Sequence, residues 1–107
     1  MTRLTFLGTL PAFAAELAEL LRNQGRDDLA LQIAALPIED RCRCGEAYCS
    51  TFYTAPEPNR AYGAGHANLH VASLEGMIIL DLVDDEIRCI EVLDRPDVQA
   101  ALFAALP

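Results

Sequence analysis

The chain reads as an α+β domain: an antiparallel sheet of about five strands, with an N-terminal αα-hairpin and a C-terminal helix packed against it. Three observations carry that reading. Apolar residues recur at helical spacing up to Leu36, broken by Gly25 and ended by Pro37. From Ile38 to Leu93 the pattern changes to alternation and strand-forming residues divided by turn signals. Helical spacing then returns behind Asp94.

The first helix follows from Leu10, Phe13, Ala14, Leu17, Leu20 and Leu21, which share one face, while Glu16, Glu19 and Arg22 fall on the other. Pro11 is tolerated in its first turn and Gly25 stops it. The second helix opens on Asp27 and Asp28, which suit a positive N-terminus, and carries the stripe Leu29, Ile33 and Leu36. Pro37 ends it by pushing Leu36 away from helical angles.

Strands come next. Ile38, Cys42 and Cys44 alternate with Glu39, Arg41 and Arg43, and "GEAY" turns the chain into "CSTFYT". "APEPNRAYGAGHA" is a Pro/Gly loop. "NLHVASL" and "MIILDLV" flank the hairpin signal "EG", and "DDE" turns again into "IRCIEVL". "MIILDLV" is nearly continuously apolar, which predicts a central strand covered on both faces. Asp81 within it needs either a partner (His70, Arg88 or a backbone amide) or a place near a strand end. Asp94 is placed to cap the last helix, with Pro96 in its first turn and Val98, Leu102, Ala105 and Leu106 facing inward. The expected core includes Leu17, Leu21, Ile33, Ile79, Leu80 and Val92.

At 107 residues the sequence is a single α+β domain, 1–107, with one modest core. A formal net charge of −8 excludes the basic face that non-specific nucleic-acid binding needs, and equally an anionic membrane surface. It suits a basic protein partner or a cation. No apolar run reaches the ~18 residues of a membrane span. "MTRLTFLGTLPAFAAELA" has a leader-like outline, but Thr5, Gly8 and Thr9 interrupt it and the helical pattern runs through it. The expected compartment is therefore the cytoplasm, where cysteines stay as thiols.

"RCRCGEAYC" is the most informative segment. Cys42 and Cys44 lie two apart and share a strand face. With a four-residue loop, Cys44 and Cys49 become cross-strand partners, and three sulfurs converge. That is the requirement of a thiolate metal site. The fourth ligand would come from Cys89 or His66, with His70 a third choice. The competing reading is packing: Ile38, Cys42, Cys44, Cys49 and Tyr53 as a small apolar face without metal, which the absence of a fourth ligand at a telling spacing favours. A Cys–His nucleophile would need an imidazole that nothing in the sequence pairs with these thiols. No catalytic residue and no enzyme activity is assigned. Asp81, Asp84, Asp85 and Glu86 lack the spacing of a calcium loop and read as a solvated turn. The long loop between strands offers a contact surface in Tyr53, Arg60, Tyr62 and His66.

Two resemblances bear on this segment. Cys42, Cys44, Gly45 and Cys49 resemble the post-SET zinc segment of histone methyltransferases, in which three cysteines so spaced and a fourth from elsewhere hold a structural zinc. The likeness covers about a dozen residues. It implies a zinc geometry and not methyl transfer, because the cofactor-binding motifs are missing. More broadly, "RCRCGEAYCSTFYTAPEP", "YGAGH" and "GMIILDLVDDEIRCIEVLDRPDV" resemble a small bacterial family of uncharacterised proteins. "GMIILDLVDDEIRCIEVLD" is also similar to a widespread class of small bacterial hairpin domains of unknown function. These resemblances imply a bacterial cytosolic origin and an α+β fold, and bring no catalytic residues. The expected role is a small acidic, non-enzymatic interaction or regulatory module, with no cofactor and a protein partner or a second copy of the chain. The alternative is a zinc-stabilised binding domain built on the Cys42/Cys44/Cys49 hairpin, and the third a thiol-dependent enzyme.

Overall fold

A computed structural model describes residues 3–107; Met1 and Thr2, the start of the leader-like stretch, lie outside the described residues. The architecture is the expected α+β arrangement. Helices α1 (Phe6–Thr9), α2 (Pro11–Asn23) and α3 (Asp27–Ile33) precede strands β1 (Asp40–Arg41), β2 (Phe52–Tyr53), β3 (His66–Val71), β4 (Met77–Val83) and β5 (Glu86–Leu93). Helix α4 (Pro96–Ala105) follows. The short α1 was not anticipated. The Thr5 hydroxyl caps it by accepting from the Gly8 amide at 3.0 Å. Pro11 has no N–H to continue the ladder, so the helix restarts there as α2.

All five strands form one antiparallel sheet in the order β1-β2-β5-β4-β3. The helices cover one face. Phe6, Leu17, Leu21, Leu29, Phe52, Ile78, Leu80, Ile90 and Leu102 are fully buried between the layers. Phe6 sits edge-on to Phe52 at 5.1 Å and tilted against Phe13 at 5.8 Å. Burying each such side chain contributes roughly 1.5–3 kcal/mol.

A bulge explains how β5 keeps its apolar face. Asp81 pairs with Cys89 and Leu82 with Ile87, so Arg88 is one residue extra on β5. Ile87 and Ile90 therefore both reach the core despite their odd separation. The β4–β5 turn puts Asp84 and Asp85 at positive φ, the requirement of a two-residue hairpin turn. Gly76 precedes β4 at φ 64°, and a Cβ there would stand 2.3 Å from the Leu93 carbonyl oxygen.

Some expectations need correction. Ile79 is only half-buried, because it points to the face of the sheet away from the helices. Asp94 does not cap α4. It adopts φ 59° and its amide donates to the Tyr48 carbonyl. Arg95 takes the N-cap position instead. Its buried guanidinium binds Glu16 of α2 and Asp97 of α4 at 2.7–3.0 Å, tying the two helices together. Strand β3 begins at His66, two residues into the expected loop.

Sheet order accounts for the long loop. Residues 54–65 must travel from β2, past β5 and β4, to the far edge at β3. They do so across the helix-free face, which they partly cover.

Candidate metal centre

The hairpin exists, but its ladder is short. β1 and β2 pair only through Asp40 with Tyr53 and Arg41 with Phe52. The Cys42 amide adds one bond to the Thr51 carbonyl at 2.8 Å, and the chain then leaves the sheet. Gly45 turns it back at φ 80°, a conformation that strains any residue with a Cβ. Cys49 returns not opposite Cys44, as the alternation predicts, but as an antiparallel bridge to Leu93 at the end of β5. Helix α4 fixes the returning limb, since Gln99 donates to the Ala47 and Cys49 carbonyls at 2.8 and 3.0 Å. Arg41 lies over the Phe103 ring at 3.9 Å, and Arg43 donates to the Pro107 carbonyl at 3.1 Å.

The sulfurs of Cys42, Cys44 and Cys49 nonetheless converge, all within 4.8 Å of one another. Among the described residues no further cysteine, histidine or carboxylate joins them within that span. Cys49 is buried, Cys42 is half-buried and Cys44 is exposed. Ile38, expected on the same face, instead belongs to the helix-side core.

The Glu46 amide donates to the Cys44 sulfur and lowers its thiol below the ordinary range, with Cys49 and Cys42 donating as well. Burial pushes Cys42 up to about 11, although the Cys44 amide partly counters it. Three soft donors at this separation, one already inclined to the thiolate, can close on a single thiophilic cation.

The expected fourth ligands are elsewhere. Cys89 pairs with Tyr53 and Asp81 and lines the same concavity as the three cysteines, but its sulfur does not join theirs within 4.8 Å. Burial, with Asp81 second, holds its thiol far above the usual range. His66 starts β3, three strand spacings from β2, or about 14 Å. Its Nε2 meets Asp81 at 2.9 Å. His70 is exposed on that same outer strand. The partners of Asp81 are thus His66 and Asn68 (2.9 and 2.8 Å), not His70, Arg88 or bulk water.

Beside the sulfurs, the helix-free face holds a concavity of about 570 Å³ that reaches from the three cysteines to Tyr62. Three of the four expected contact residues, Tyr53, Arg60 and Tyr62, line it. His66 does not, but it supports Tyr62 by ring stacking at 4.8 Å. The Tyr53 hydroxyl donates to Glu57 at 3.2 Å. Sequence reasoning missed Glu46, Glu57 and Glu91 on this wall. Burial, then the neighbouring Asp81 carboxyl, pushes Glu91 up to about 7. The alternation of β5 was a signal for Glu91, because it sits two residues from Cys89 and so shares its face. Glu46 and Glu57 lie in irregular segments and left no comparable trace.

Asp84, Asp85 and Glu86 are exposed, the solvated turn that was expected. Among the described residues, no helix is long and apolar enough to cross a membrane. In comparison with known proteins, no family model, no curated protein and no solved structure matches this chain.

Proposed function

We propose that this protein is a small non-enzymatic metal-binding domain in which Cys42, Cys44 and Cys49 hold one zinc ion. One observation carries the reading: three sulfurs lie within 4.8 Å of one another while Cys44 is exposed. Apolar packing gives no reason for Cys44 to be there, since an exposed thiol gains nothing from burial. Coordination gives one. The net charge of −8 supports cation capture. A thiol enzyme has less support, because both histidines belong to the far strand and Arg43 is engaged by Asp40 and the Pro107 carbonyl. Zinc would couple the loop to the fold, so zinc should raise the melting temperature and a strong chelator should lower it. Identical melting curves with zinc and with chelator would remove the proposal.

The partner expected from the sequence fits the same reading. A basic protein surface complements the acidic chain. Strand β3 leaves an edge that the Gln24 side chain blunts through His70 and Ala72, and the rest of that edge supports pairing with a second copy.

A further inference from the structure

We infer that the fourth coordination position is filled from outside the chain, by a small molecule bearing a neutral imidazole-type nitrogen and, at its far end, a positive charge. The inference rests on the metal reading above. It begins from the missing ligand: Cys89, His66 and His70 are held elsewhere by the sheet register, and no other described donor stands with the three sulfurs. A four-coordinate ion with three protein ligands keeps one position for water or a ligand.

Charge selects the ligand class. A divalent zinc with three thiolates carries a net charge of −1. The adjoining wall bears Glu46, Glu57, Asp81 and Glu91 against Arg60, while Arg41 and Arg43, which also flank the cysteines, are engaged by the Leu106 and Pro107 carbonyls and by Asp40. An incoming carboxylate or thiolate would add a second negative charge to that setting. A neutral imidazole adds none and requires no deprotonation. Water also adds none, but it makes no use of the aromatic walls and carboxylates of the adjoining concavity. Tyr53 and Tyr62 supply flat walls for a ring, while Glu57 and Glu91 stand where a cationic tail would reach. Binding is ligand exchange only: the imidazole nitrogen replaces water on the metal, and no bond within the ligand breaks.

Untagged protein loaded anaerobically with cobalt(II) provides the test, because thiolate-to-cobalt charge transfer reports metal uptake and the visible bands report the fourth ligand. Histamine should shift the visible bands and bind about fivefold tighter than imidazole, the advantage of one partly exposed ion pair. Imidazole-4-acetate should bind more weakly than imidazole. The Glu57→Gln/Glu91→Gln double variant should take up cobalt normally, bind imidazole normally and lose the preference for histamine. Visible bands indifferent to all three probes would overturn the inference while leaving the metal site intact. Absence of the charge-transfer band would overturn both. Tighter binding of N-acetylhistidinamide than of histamine would overturn the small-molecule assignment in favour of a histidine on a protein partner.

Discussion

Cys44 is the residue at which packing and coordination part company. It is exposed, so in metal-free protein Cys44→Ala should change stability by less than about 0.5 kcal/mol in denaturant melts. With zinc present the same substitution should lower stability clearly, because a ligand is lost. Equal effects with and without zinc would contradict a coordinating role. Glu91 supports a second prediction, through pH. Its folded carboxyl titrates near 7, against an ordinary value of 4.5, under burial and Asp81 and opposed by His66. The folded state thus holds this proton more tightly than the unfolded chain does. Its contribution is complete below pH 4.5 and fades as pH rises to about 7. Glu91→Gln should flatten that part of the stability–pH curve, as read by urea melts across the range. The convergence of the three sulfurs was legible from Cys-x-Cys-x4-Cys. The exposure of Cys44 was not, because alternation assumes a ladder and the ladder here stops at Arg41.

Helices α2 and α3 and the paired strands β4 and β5 were legible in outline, since their periodicities run long enough to be unambiguous. Leu21 lies at the centre of the α2 stripe and is fully buried. Leu21→Ala should therefore cost on the order of 2–5 kcal/mol. Ile79→Ala should cost clearly less, because Ile79 points away from the helices. Denaturant midpoints for the two variants check the order, and a larger loss at Ile79 would mean that the β4 register is wrong. The ends of elements were harder to read. Asp94 has the composition of a cap, but the amide bond to Tyr48 and its positive φ take it out of cap geometry. Sheet order was the least accessible feature. The loop of residues 54–65 does not reveal in sequence that it crosses two strands, and that crossing is what carries His66 away from the cysteines.

On the scale of the whole molecule, acidity and an open sheet edge define the outer surface. If β3 pairs with its counterpart in a second copy, light scattering at high concentration should give twice the chain mass of 11.7 kDa. A monomer mass throughout would remove that pairing. The candidate metal centre joins β1, the end of β5 and α4, so its occupancy would bear on the packing of three elements at once. Elemental analysis of untagged protein, purified without chelator, tests the central claim most directly. One zinc per chain, lost in Cys44→Ser, is the predicted result; no metal in the wild-type protein, even after incubation with zinc and desalting, would contradict it.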